Sequence, residues 1–121
     1  MIKRLAIIPA RGGSKRIKNK NLNIFHGKPL IYYPISAAKN SKIFDKIHVS
    51  SDSKKILDYS NELKIKTDFV RPKYLANDKI GLRDVVKYVI SRYQKINHNY
   101  DEIWLIYATN PFITKNIIRN C

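Results

Sequence analysis

The feature that most constrains this chain is an apolar run that breaks into a glycine-rich basic loop. Leu5-Ala-Ile-Ile8 reads as a short buried strand. It ends at Pro9 and enters a loop holding Gly12, Gly13 and Ser14, with five cations: Arg11, Lys15, Arg16, Lys18 and Lys20. A buried strand feeding such a loop is how α/β proteins hold phosphate at the carboxyl edge of a parallel sheet. Glycine lets backbone N–H groups approach an anion, and Lys and Arg supply counter-charge. The rest of the chain then has to build the sheet behind this loop.

Its hydrophobic spacing does so. A strand over 4–9 is followed by the basic loop to about Phe25 and a His26-Gly-Lys-Pro29 turn. Pro29 is suited to a first helical turn. Leu30, Ile31, Pro34, Ile35 and Ala38 then predict a helix over 30–40. Lys46–Ser50 alternates and predicts a second strand, and Ser51-Asp52-Ser53 is an N-cap cluster for a helix over 54–63. Asp52 reads equally as that cap or as a ligand contact. Lys66–Val70 predicts a short third strand, stopped by Arg71-Pro72. Asp78 is a candidate cap ahead of a helix with Val85, Val86, Val89, Ile90 and Tyr93 on one side. Residues 102–107 predict a fourth strand, nearly all apolar and therefore central. The β-α-β-α-β-α-β order is that of an open, mostly parallel, Rossmann-like α/β sheet with right-handed crossovers. Loops 10–21, 71–82 and 108–112 are expected to meet at its carboxyl edge, where ligands sit.

Length and charge bound the function. The 121 residues support one domain, and a single cysteine, Cys121, excludes an internal disulfide framework. With no bilayer-length apolar run and no signal-peptide pattern at the start, the sequence reads as cytoplasmic with no membrane partner. The net charge of +15 points to an anionic partner, nucleic acid or nucleotide. Lysine, asparagine and isoleucine are all abundant, so part of that charge reflects base composition. Its distribution says more: residues 1–44 hold ten Lys and Arg and no acid. The tyrosines are not interleaved with cations along one surface stretch, which argues against nucleic acid. His26, His48 and His98 show no metal-ligand spacing.

The motifs resemble those of the acylneuraminate cytidylyltransferases, the CMP-sialic acid synthetases and their bacterial relatives. Ile8-Pro-Ala-Arg-Gly-Gly-Ser-Lys-Arg-Ile with Lys20-Asn21 is similar to the family's opening motif. Gly27-Lys-Pro-Leu30, Val49-Ser-Ser-Asp52, Arg71-Pro72, Leu75-Ala-x-Asp78 and Thr109-x-Pro111 follow in order. The Phe25-x-Gly-Lys-Pro spacing and Arg16-Ile resemble the pseudaminic acid branch. The loop is neither a Walker A motif nor G-x-G-x-x-G.

The resemblance implies a fold of the nucleotide-diphospho-sugar transferase type and transfer of CMP from CTP to a nine-carbon acidic sugar, with release of pyrophosphate. It implies nucleotide contacts from Ala10, Arg11, Gly12, Gly13, Lys20, Asn21, Arg71 and Leu82. Arg11 would cradle the triphosphate, Lys20 would neutralise charge at the α-phosphate, Asn21 would fix the nucleotide and Arg71 would reach the cytosine carbonyl. Tyr107 and Thr109 would border the sugar. Arg11 and Lys20 are the catalytic candidates, since phosphoryl transfer rests on positioning and electrostatics and the sugar hydroxyl is the attacker.

The match also has departures. Leu82 stands where the family usually carries Ser or Thr near the base, and Ala108 and Asn110 alter the surroundings of Thr109. The chain reads as the N-terminal part, residues 1–121, of a single nucleotidyltransferase domain, truncated after its fourth strand. Remaining strands, a homodimerisation segment and the acids that hold Mg²⁺ are expected in the other half. The alternative reading is a non-catalytic nucleotide-binding remnant. A weaker third takes the charge as nucleic-acid binding.

Overall fold

The computed structural model describes residues 2–12, 20–77 and 79–108. Strand β1 (Arg4–Pro9) lies between two parallel neighbours, β4 (Lys46–Ser50) and β5 (Glu102–Leu105). Leu5 pairs with Lys46 and Ile103, and Ile7 with His48 and Leu105. β1 is thus the central strand among the described residues, and four of its six side chains are fully buried. Strand β5, expected at the centre, borders β1 on one side and shows half-buried and exposed positions along its length. Its apolar side chains divide between the two faces: Trp104 packs with one core and Ile103 with the other.

Alternation along β1 builds both cores. Ala6 and Ile8 face an aliphatic cluster with Ile35 and Ala38 of α1 (Tyr32–Ser41) and Ile56 and Leu57 of α2 (Lys54–Glu62). Leu5 and Ile7 face an aromatic cluster with Phe69, and with Val89 and Tyr93 of α3 (Leu82–Gln94). Covering both faces is what a parallel sheet requires. Each buried isoleucine contributes roughly 2–3 kcal/mol.

The helices follow their predicted spacing, with ends shifted by a residue or two. α1 begins at Tyr32, so Pro34, not Pro29, is the first-turn proline. Pro29 instead pairs with Ile24 in a small hairpin of β2 (Ile24–Phe25) and β3 (Lys28–Pro29). Its two-residue turn, His26-Gly27, has positive φ at both positions (49° and 84°), the mirror-image turn that suits right-twisted strands.

The expected strand at 66–70 does not form. Asn61 Oδ1 takes the Thr67 N–H, Lys46 pairs with Asp68 at 2.7 Å, and Phe69 buries in the aromatic core. Side-chain contacts hold this segment where a ladder was expected. It touches the sheet's end through the bond from Arg71 N to Ser51 O.

Beneath β4 those contacts form a polar network. The Tyr93 hydroxyl donates to Asp68 Oδ2 at 2.7 Å and lies 3.1 Å from His48 Nδ1. With that proton given to Asp68, His48 Nδ1 carries the N–H directed at the tyrosine oxygen. Burial lowers the His48 pKa from 6.5 to about 4, against the pull of Asp68, so His48 is neutral in the native state. Burial works against ionisation of Asp68, but hydrogen bonds from Lys46 and Tyr93 outweigh it and hold its carboxyl below the usual range.

Candidate functional site

Parallel register brings the ends of β1, β4 and β5 to one edge of the sheet. The chain leaves β1 there, and Ala10 N donates to Ser50 O at 2.8 Å. The same carbonyl accepts from Arg71 Nη2 at 2.9 Å, while Arg71 Nε donates to Ser50 Oγ at 3.1 Å. Arg71 Nη1 reaches Leu75 O at 3.4 Å, across the short 3-10 turn Lys73–Leu75. Three of the five guanidinium donors are therefore spent on the protein's own backbone and hydroxyl groups. Arg71 is only 5% exposed. Its burial lowers its pKa, Asp52 opposes that shift, and Arg11 adds to it.

Asp52 follows β4. Ser53, not Asp52, caps α2, its hydroxyl accepting from Ile56 N. Asp52 Oδ1 accepts instead from Gly12 N at 2.9 Å, across forty residues of sequence. Asn21, in the 3-10 turn Lys20–Leu22, is 7% exposed and donates from Nδ2 to Arg11 O at 3.3 Å. Its own carbonyl accepts from Ile31 N at 2.9 Å.

Five of the expected residues thus meet at this edge: Ala10, Arg11, Gly12, Asn21 and Arg71. Ala10 is buried in the aliphatic core, as is Ala108. Lys20 is exposed at the start of its 3-10 turn. Leu82 opens α3 and is half-buried, and Tyr107 is 58% exposed. Gly13 and Thr109, with Lys15, Arg16, Lys18, Asp78, Asn110 and Cys121, lie outside the described residues. Sequence reasoning missed Ser50, and it placed Asp52 as a cap or ligand contact. An acid two residues past a strand end was the available signal, but its partner lies too far away in sequence to be read.

The edge is basic and polar, built of guanidinium groups and backbone amides. Among the described residues, no three His, Cys, Asp or Glu side chains stand together as a metal cluster. Asp52 is engaged with Gly12 and stands near Arg71. The described residues therefore do not themselves fit a Mg²⁺ site. Two surface pockets lie elsewhere, one of about 300 Å³ between α1 and the end of α2 and one of about 270 Å³ at the opposite edge of the sheet. Among the described residues, no helix is long and apolar enough to cross a membrane.

Known proteins resemble this chain in sequence and in fold. The cytidylyltransferase family model matches residues 5–121. A pseudaminic acid cytidylyltransferase of Campylobacter jejuni (strain 81-176) is 46% identical over 98% of this chain and 51% of its own length. An N-acylneuraminate cytidylyltransferase of Escherichia coli is 38% identical over 89% of this chain and 25% of its own. The fold resembles a solved CMP:2-keto-3-deoxy-manno-octonic acid synthetase complexed with CTP, with a TM-score of 0.75 and 22% identity over 98% of this chain and 45% of that one. The chain spans about half the length of the pseudaminic acid relatives from C. jejuni.

Proposed function

We propose a CTP-handling role on one premise: the chain belongs to the cytidylyltransferase family. Its carboxyl edge holds the triphosphate of CTP, in a protein that transfers CMP to a nine-carbon acidic sugar of the pseudaminic acid type. The observation that carries this is the convergence at the end of β1 of Arg71 with Arg11, Gly12 and Asn21, the last three from the segment of the chain that has cations and no acids.

In this reading Arg11 neutralises the triphosphate and Lys20, exposed next to Asn21, takes up charge on the α-phosphate as pyrophosphate leaves. Arg71, already fixed by Ser50, offers its remaining donors to the base carbonyl. Leu82 cannot hydrogen-bond the base, so base selectivity falls to Arg71 and the backbone. Tyr107 and Thr109 border the sugar. A Mg²⁺ ion would supply Lewis-acid stabilisation of the phosphates. Its ligands, and the dimer contact, belong to the half of the relatives that this chain does not span.

That half-length coverage favours a second reading, a nucleotide-binding module without turnover. The test is pyrophosphate release from CTP by the purified chain with Mg²⁺, with and without pseudaminic acid. Sugar-dependent release supports the transferase. CTP binding without release supports the module. Absence of both overturns the nucleotide site.

A further inference from the structure

We propose that Asn21 and Asp52 are positioning residues that clamp one peptide unit of the anion loop from both ends. The Arg11 carbonyl and the Gly12 N–H belong to the same planar peptide. Asn21 Nδ2 donates to that carbonyl at 3.3 Å, and Asp52 Oδ1 accepts from that N–H at 2.9 Å. The two side chains come from different parts of the fold, a 3-10 turn and the β4–α2 turn. Neither residue is loosely held. Asn21 is buried, with its own carbonyl bonded to Ile31 N. Asp52 sits between β4, whose Ser50 carbonyl anchors both Ala10 and Arg71, and Ser53, which caps α2.

A peptide unit held at both poles cannot rotate about its flanking φ and ψ without breaking a hydrogen bond. The clamp therefore fixes the direction in which the chain leaves β1. It sets the base from which the Arg11 side chain extends and the starting direction of the loop beyond Gly12. It also reassigns two groups. The Gly12 N–H has a single proton, and Asp52 takes it, so this amide is the anchor of the loop and not one of its phosphate donors. Asn21 holds the loop from below. The acid near Arg71 also acquires a purpose: it is an acceptor for the loop whose charge eases the burial of a guanidinium.

This inference rests on the nucleotide reading only for its effect on anion binding, and the two can be separated. Asp52→Asn and Asp52→Ala both remove the charge, but only asparagine keeps an acceptor for Gly12 N–H. Tripolyphosphate is the probe, measured by calorimetry on the full chain, with amide spectra of ¹⁵N-labelled protein beside it. Asp52→Asn should bind tripolyphosphate at least as tightly as the parent, and Asp52→Ala about tenfold more weakly than Asp52→Asn, the worth of one part-buried hydrogen bond. The Gly12 amide should keep its downfield proton shift and slow exchange in Asp52→Asn and lose both in Asp52→Ala. Asn21→Ala combined with Asp52→Ala should cost less than the sum of the two, because a single loss already frees the peptide. Equal binding by the asparagine and alanine variants, or a Gly12 amide indifferent to either, overturns the clamp. If the parent binds no tripolyphosphate, the nucleotide reading fails, and the Gly12 amide alone still decides for or against the clamp.

Discussion

The two edges of the sheet use the same chemistry to opposite ends. At the amino edge, acids that immediately precede the flanking strands turn back onto the start of β1. Asp45 Oδ2 accepts from Arg4 N at 2.7 Å and Asp101 Oδ2 from Lys3 N at 2.8 Å, and Glu102 meets the Arg4 guanidinium at 3.0 Å. Asp45 and Asp101 thus hold backbone amides, and Glu102 the Arg4 guanidinium, at the start of β1. At the carboxyl edge Asp52 faces Gly12, with Arg11 and Arg71 in electrostatic range. The first 44 residues carry no acid of their own, so the balance at each edge depends on what later segments bring to it. In the proposed reading the difference separates a stabilising edge from an anion-binding one.

Removing Arg71 should produce the largest effect, since Arg71→Ala strips three hydrogen bonds from the carboxyl edge and leaves Ser50 O and Leu75 O short of a donor. A loss of about 2–4 kcal/mol in urea unfolding is expected. An equal loss from Asp101→Ala would erase the distinction between the edges.

The next effect is set by pH and belongs to neither edge. The His48 pKa is lowered from 6.5 to about 4 by burial, so the unfolded chain binds the proton more readily than the native one. Its stabilisation is complete above pH 6.5 and is lost as the pH falls from 6.5 toward 4. The loss is on the order of 3 kcal/mol. Asp68, whose pKa is depressed, loses its contribution further into acid, below its ordinary value of 3.8. Urea unfolding at pH 7 and pH 4.5 checks this. His48→Asn, which cannot take up the proton, should flatten the dependence even if it lowers stability at pH 7.

A smaller effect sharpens the comparison directly. Asp45→Ala and Asp101→Ala should each cost about 1 kcal/mol of stability, the net worth of one hydrogen bond, and leave CTP affinity unchanged. If either variant weakened CTP binding, the amino edge would be part of the ligand site. The smallest change is expected from Glu102→Gln, which removes the charge of a pair open to solvent at that edge and should leave the melting midpoint within error of the parent.

The sequence foretold the parts of this fold that are written locally. The apolar run within residues 4–9, the alternation in 46–50, and helical spacing over 30–40, 54–63 and 82–93 carried straight through to the elements. Segment 66–70 failed because its pattern was strand-like while its side chains found partners in α2, α3 and β4. Residues 102–107 looked central because apolar composition does not distinguish burial on two faces from burial at the middle of a sheet. The candidate site was legible to the same extent. Arg11, Gly12 and Asn21 lie within one motif, and Arg71 within another, so the motifs put them on the page. What Asn21 and Asp52 do with the peptide between Arg11 and Gly12 depends on a contact across forty residues, and no periodicity encodes that.

The most direct test of the central claim, that the carboxyl edge is the nucleotide site and the amino edge is not, is a thermal melt with and without CTP. It needs three chains: the parent, Arg11→Ala and Asp101→Ala. At a hundredfold excess over Kd, CTP should raise the midpoint of the parent by roughly 10 °C. Asp101→Ala should start lower and rise by the same amount, and Arg11→Ala should not respond. An equal rise in all three, or none in the parent, would contradict the account.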